Sequence, residues 1–537
     1  MSDANRVRVA IARNAARDPV VTQAALQAIR NNGQPNLAFA IERIASNELR
    51  ADRNKTDAIS VGATAAGDLP SELSFGNSDL FLESVLLWTF AQNNGLTASK
   101  SWLNAAGDGF LVDGQLSLTA VGQTSTVFKV GHIVRLTHRD IGGAFIDGPY
   151  EVTANAANIL TLAPLASLST SELVYAPALV AANLGAPAVG TTSEVRVVGV
   201  IGAATDIALT QSGGICTLTS TANLFNSAMD ALAAVDLRAG QLIKIKGFTV
   251  AQATTAGANV YAILSSAAAS GATLTFPQPA SINANDPGTG VRIEVYFGDV
   301  IRNPDENNID PISEHQFIIE QAYLDHSPVD YQVFLGMAIA RLQLELAPRA
   351  IALLTPSFLG LNARVATSAE YASAGPNQIY TSAPTITPAL TKPIYNTSRN
   401  VGRLGLGASN VAGGSKNFVL EATVDINANL EELPAVGVFG AAALSAGELS
   451  ITGTLNTYFD DLSNYLIVLN DGETTFDSAL RSADGRVMGV SLPRIKLNGA
   501  PDVPGKNQRT VLNLSYEALL DSTLGYSIAF HRLHYAR

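Results

Sequence analysis

The chain has 537 residues, of which 47% are hydrophobic and 15% charged, with a formal net charge of −12 and one cysteine. At roughly 150 residues per domain that length implies three to four domains and a sizeable core. The acidic balance excludes a groove that grips nucleic-acid phosphates, and the lone Cys216 excludes an internal disulfide or a thiolate metal cluster. A charged fraction well under the ordinary ~25% fits either a surface that meets other protein or a Ser/Thr/Asn surface of extended β structure.

The first 60 residues carry nine Lys/Arg and six Asp/Glu, so the acidity lies in the rest of the chain. Arg6, Arg8, Arg13 and Arg17 interrupt any apolar run there, and no secretory signal is expected. Residues 46–57, SNELRADRNKTD, alternate in sign through Glu48, Arg50, Asp52, Arg53, Lys55 and Asp57. They read as a solvated loop or as a contact loop that pairs with a neighbouring copy, its charges setting register more than affinity.

A small-residue run with Ala66-Gly67-Asp68-Leu69 then leads into a strand and a helix. Asn77 or Ser78 is the expected cap, Leu82, Val85, Leu86 and Phe90 the apolar stripe, and Asn93-Asn94-Gly95 the stop. The same order returns at 437–472. There Ala446-Gly447-Glu448-Leu449 precedes a cap at Thr457 with Asp460, a stripe of Leu462, Tyr465 and Leu466, and a stop at Asn470-Asp471-Gly472. A second pair of segments also matches. Residues 336–359 and 489–516 each hold an Arg-apolar-polar-Leu strand, Arg341 to Leu344 and Arg494 to Leu497, followed by a turn and another strand. One β-rich unit with a single helix therefore occurs twice.

The first copy is interrupted by about 240 residues with a duplication of their own. FKVGHIVRL and LRAGQLIKI open two stretches of alternating strands, with Gly131 and Gly240 at matching places and Tyr150 and Tyr261 after them. Cys216, in Ile215-Cys216-Thr217-Leu218, reads as a core filler. Residues 173–193 are uncharged, but Pro177, Gly185, Pro187 and Gly190 mark a linker or β-edge rather than a membrane helix. From Asp299 to Asp330 eight acids stand against one Arg, which reads as a solvated loop or as an acidic assembly face. Pro376, Pro384, Pro388 and Pro393 mark residues 375–393 as a linker between the units.

Chemistry-bearing motifs are wanting. The six histidines are scattered, and His531 and His534 fall on a terminal strand that would turn them to opposite faces. GRLGLG at 402–407 contains no dinucleotide fingerprint, and Gly413-Gly414-Ser415-Lys416 lacks the first half of a phosphate loop. There is no GxSxG elbow. Residues 305–310 resemble half a calcium loop without its Gly and closing Glu. No catalytic, cofactor-binding or metal residues are expected, and an enzyme is not.

SNELRADRNKTDAISVGATAAGDLPSELSFGNSDLFLESVL (46–86), IEVYFGDVIRN (293–303), FIIEQAYLD (317–325) and MGVSLPRIKLNG with TVLNLSYEAL (488–519) together resemble the tail tube, or major tail, proteins of long-tailed, non-contractile bacteriophages. The likeness is to the variety with two tube domains fused in one chain, and it is strongest over 20–115 and 290–537.

The resemblance implies a mainly β fold. It has two tube β-sandwich or half-barrel domains, each with one flanking helix, and two small inserted all-β modules that decorate the outside. The expected division is 1–115 with 291–385, 116–190, 191–290 and 386–537. It further implies self-assembly into trimeric, pseudo-sixfold rings stacked as a tube in the virion tail, built in the host cytoplasm. A tape-measure protein and tail-end terminator or tip proteins would be partners. Genomic DNA would pass through the lumen without sequence-specific binding, and no membrane insertion is expected. The alternative is a host-surface binding or adhesion protein of tandem β modules, which the two inserts motivate.

Overall fold

The computed structural model describes residues 6–14, 20–32, 35–47, 51–52, 57–88, 101–103, 115–117, 128–139, 145–156, 159–165, 194–225, 237–248, 260–268, 270–289, 292–304, 315–407, 409–410, 418–503 and 505–537. The chain is mainly β, with two seven-residue helices among those residues, Asp79–Val85 and Ser463–Leu469. No helix among them is long and apolar enough to cross a membrane.

Two long strands organise the two repeated units, Asp330–Leu346 and Val487–Asp502. Their sequences alternate as a sheet with one wet face requires. Leu342, Leu344 and Leu346 are buried, while Arg341, Gln343 and Glu345 between them are half-buried or exposed. Each long strand serves two layers. The first half of Asp330–Leu346 pairs with Phe317–Tyr323 and Asn362–Thr367, and its second half with Leu353–Gly360 and Val419–Asn427. The change of layer falls at Gly336, whose φ of +63° suits glycine and whose missing Cβ leaves room for Leu361. Val487–Asp502 behaves alike. Its first half pairs with Glu473–Arg481 and Ala529–Leu533, its second with Val511–Ala518.

The second halves join in one run of eight strands. Its order is Ala38–Ala45, Ala58–Asp68, Leu353–Gly360, Asp330–Leu346, Val419–Asn427, Ser450–Tyr458, Val511–Ala518, Val487–Asp502, antiparallel throughout. The two units share one apolar core between this run and the other layer. The first helix packs on Asp330–Leu346 and the second on Val487–Asp502. Phe81, Phe317 and Phe358 meet edge to face at the first helix, with centroids 6.1 and 6.3 Å apart.

Strands from both inserted stretches lie in one sheet, which runs Val260–Ile263, Leu242–Lys246, Glu294–Tyr296, Glu194–Ile201, His132–Arg139, Phe145–Ala156, Ile159–Pro164, Gln115–Ser117. Ser101–Leu103 also pairs with Glu194–Ile201. A four-stranded sheet, Ile207–Ser212, Ile215–Ser220, Thr273–Pro277 and Ser266–Ala267, stands beside it. Tyr150 and Cys216 are both buried in this core.

The insert leaves the chain after the first unit's helix but docks on the second unit. Ile133, Val198, Leu242, Tyr261 and Tyr296 pack against Ala479, Val487, Leu533 and Tyr535. The insert's exit strand Asp299–Arg302 pairs with Ala529–Leu533. Buried charges are matched along the seam. Arg537 Nε donates to Glu294 at 2.7 Å. Asp147 accepts from Arg135 at 2.5 Å and from Arg486 at 3.1 Å. Asp299 accepts from Arg532 at 2.7 Å, His534 at 2.9 Å and Arg196 at 3.2 Å. Burial works against the Asp299 carboxylate, but the His534 bond and the two guanidiniums outweigh it and hold it well below the usual range.

Several expectations need correction. Thr457 does not cap the second helix. It is a buried residue of Ser450–Tyr458, and the Asp461 carboxylate accepts from the backbone of Ser463 instead, at 2.9 Å. The first helix stops at Val85, well before Asn93-Asn94-Gly95. Leu87, at φ +53°, turns the chain, and Trp88 N–H closes onto the Glu83 carbonyl. Phe90 and 93–95 lie outside the described residues. At the other helix Asp471, at φ +47°, takes the left-handed place expected of Gly472.

The acid stretch is not one solvated run, because Asp299 and Glu320 are buried and ion-paired, Glu320 with Arg8 at 2.9 Å. Residues 375–393 do not hang free. Ile379 and Tyr380 are buried, and Thr385–Thr387 pairs in parallel with Ala25–Ala28. Residues 173–193, 305–310 and 413–416 lie outside the described residues.

Candidate assembly surfaces

The run of eight strands has unlike faces. On the core side stand Leu342, Leu344, Val424, Ile426, Leu455, Leu514 and Ile495. On the other side alternate Arg341, Gln343, Glu345, Thr423, Asp425, Asn427, Thr452, Thr454, Asn513, Ser515, Glu517, Lys496 and Asn498, half-buried or exposed. The bases here are matched by carboxylates. Arg341 grips Asp425 through Nε at 2.7 and 2.8 Å, Arg494 grips Glu473 at 2.7 and 2.6 Å, and Lys496 reaches Asp471 at 2.9 Å. Asp68, Glu72, Glu345 and Glu517 add further carboxylates, so the face is polar and net negative.

The run ends in open edges. Its outer strands, Ala38–Ala45 and the Leu497–Asp502 half of Val487–Asp502, each have a ladder partner on one side only among the described residues. Unsatisfied strand edges invite pairing with another chain. Midway along the run the two units are themselves joined strand to strand, Arg341–Leu346 against Ala422–Asn427. That junction is a worked example of how one unit's last strand receives the next unit's first.

Two hairpins project from the run. Ala38–Ala45 and Ala58–Asp68 form the longer, with Ile44 opposite Ile59, 61% and 62% exposed, and Ile41 and Val61 also exposed. Glu431–Pro434 and Ala441–Ser445 form the shorter, with Leu433, Val436 and Phe439 exposed. The shorter leans on the longer. Gly440 sits against the Leu361 and Ala63 carbonyls, and Glu432, its carboxyl raised by burial and by nearby Glu42, bonds toward Thr64.

Of the expected contact loop, Asp52 and Asp57 are exposed at the tip of the longer hairpin, and Asp57 Oδ1 accepts from Ala58 N–H at 2.7 Å. Glu48, Arg50, Arg53 and Lys55 lie outside the described residues. Sequence reasoning missed the exposed isoleucines. Their signal was apolar alternation on a strand flanked by charge, which reads equally well as a buried face.

Among the described residues no group of three His, Cys, Asp or Glu side chains could hold a metal. His531 and His534 are not neighbours in one site. His531 bonds the Ser491 hydroxyl at 2.8 Å and His534 bonds Asp299, and burial pushes both down to about 3. A cavity of about 510 Å³ lies between the insert and the second unit, lined by Tyr261, Arg403, Asp477, Ser491 and Tyr526 among others. Its Arg403 and Asp477 pair with each other, and Ser491 is engaged by His531. The Cys216 thiol is buried and pushed up to about 11, which makes it a poor nucleophile.

A family model described as phage tail tube protein matches residues 4–518, nearly the whole chain. No curated protein matches it.

Proposed function

Because the chain belongs to the phage tail tube protein family, we propose that it is a structural subunit of the virion tail that closes into rings of three copies and stacks as a tube. The observation that carries this reading is the junction of Arg341–Leu346 with Ala422–Asn427 inside one chain, together with open edges at both ends of the eight-strand run. A ring repeats the internal junction between copies, Leu497–Asp502 of one receiving the leading strand of the next. A head-to-tail contact of this kind closes when its rotation divides a full turn. Two units per chain make three copies pseudo-sixfold.

In this arrangement the polar face lines the lumen and the helices and insert lie outside. A net-negative wall whose bases are held by carboxylates offers DNA few phosphate contacts, so a genome slides rather than binds. The projecting hairpins carry the contact between stacked rings, with the charges Glu48, Arg50, Asp52, Arg53, Lys55 and Asp57 setting register. The division into a split first tube unit, two inserted β segments and a second tube unit belongs to the same reading. So do a tape-measure protein and tail-end proteins as partners, assembly in the host cytoplasm, and a purely structural role.

Electron microscopy of the purified chain tests it. End-on averages with three copies and six similar inner lobes are expected. Six-copy rings would mean that only one unit per chain builds the wall, and dispersed monomers at high concentration would remove the reading.

A further inference from the structure

The two ends of the strand Val419–Asn427 are unlike. Beyond Asn427 the chain runs out into the shorter hairpin, Glu431–Pro434 with Ala441–Ser445. The tip of that hairpin is apolar. Val436 is fully exposed, and Leu433 and Phe439 are 43% and 49% exposed. Large apolar side chains held out together on a turn mark a contact surface rather than a core.

At the strand's other end a cleft of about 430 Å³ opens between the two layers. Leu346 and Val419 line it from the eight-strand run, Leu404 and Leu480 from the layer behind. Leu346 and Leu480 are buried, while Arg349 and Ser398 stand exposed at the mouth. Arg349 holds a φ of +56°, a conformation uncommon for a residue other than glycine. The Thr397 hydroxyl fixes that turn, donating to the Ala347 carbonyl at 2.5 Å and accepting from the Ala350 N–H at 3.2 Å. Arg349 makes no ion pair among the described residues, so its charge is left for another partner.

We propose that this cleft is a socket for a second copy of the chain, and that its occupant is the tip Leu433, Val436 and Phe439 of the copy stacked on it. Knob and socket sit at opposite ends of one strand. Two copies offset along that strand therefore bring one to the other, and a head-to-tail contact of this kind repeats from copy to copy without closing. Both surfaces are apolar. The charges agree as well, because Arg349 and Arg399 are exposed at the socket's end, and Glu431 and Glu448 are exposed at the foot of the hairpin. This rests on the tube reading and supplies what the shorter hairpin docks into.

The test uses the full chain with Val436→Lys on the knob or Ser398→Trp at the mouth of the socket. Both positions are exposed, so the denaturation midpoint stays at the wild-type value. Rings form as in the wild type. The fraction sedimenting as tubes falls at least about tenfold in each variant, because a lysine is shut into an apolar contact without a partner or the cleft is already filled. Val436→Cys with Ser398→Cys gives disulfide-linked ladders that run from ring to ring under a mild oxidant, and Cys216 is buried and stays in place. Wild-type tubes from either single variant, or no cross-link from the paired one, overturn this proposal and leave the tube reading standing. Absence of rings and tubes from the wild-type chain overturns the tube reading and this one with it.

Discussion

Arg532 is the side chain on which the seam most depends, and replacing it with Ala is expected to loosen the second unit's last strand. Its guanidinium touches Asp79 and Asp299 and lies over Phe75, 5.9 Å from the ring centre. Removing it strands two buried carboxylates. Breaking a buried pair costs about 3–5 kcal/mol, equivalent to roughly two to four pKa units shared between the two acids. Asp79 is already raised by burial, with Arg532 opposing, so it rises further in the variant. Asp299 loses part of what depresses it, while His534 and Arg196 remain.

The depressed Asp299 contributes stability present above its unfolded pKa of ~3.9 and lost as pH falls through its folded value. In the variant, protonation of Asp79, whose carboxyl burial already raises, relieves the stranded charge as pH falls. The cost is therefore larger at pH 7 than at pH 5. Hydrogen exchange at Ala529–Leu533 reads it locally, without assuming two-state unfolding. A cost under about 1 kcal/mol, or the same cost at both pH values, would refute the argument that these charges are buried and interdependent.

Gly453→Ala places a Cβ 2.1 Å from the Thr423 carbonyl and 2.4 Å from the Tyr516 hydroxyl. It is expected to cost about 1–3 kcal/mol and to break the 2.7 Å bond from Tyr516 to Thr423, read by chemical denaturation. Ile44→Lys, on an exposed hairpin position, changes stability by less than about 0.5 kcal/mol yet prevents stacking, so sedimentation should show rings without tubes. Leu242→Asp puts a charge into the seam and should lower exchange protection in Glu473–Arg481 and Val487–Ser491 while sparing Ile207–Ser220. Equal loss in both regions would mean that the insert and second unit do not meet as separate bodies.

Much of the architecture was legible in local pattern. Leu342, Leu344 and Leu346 alternate with polar residues, and Arg494-Ile495-Lys496-Leu497 carries the same pattern on the second long strand. Helix existence was legible too, but not the ends. Thr457 resembles a cap in composition, yet it continues the alternation of Ile451, Gly453 and Leu455, and strand pairing decided its place. The seam was not legible. Glu294 and Arg537 lie far apart in sequence, and an isolated charge carries no sign that its partner waits across a fold.

The placement of the insert also dictates an order of events during synthesis. The insert precedes the second unit in the chain, but its docking face is completed by strands at 473–481, 487–491 and 529–533. Until those strands emerge, Leu242, Tyr261 and Tyr296 lack the second unit's half of their cluster. The insert's other core, around Tyr150, Cys216 and Phe276, needs no later residue and can form first. The seam closes late, across sequence separations of up to 399 residues, and such non-local closures are the slow ones. Maturation of the subunit therefore waits on Ala529–Leu533, and a nascent chain that stalls before residue 529 holds an apolar surface open to the wrong partner.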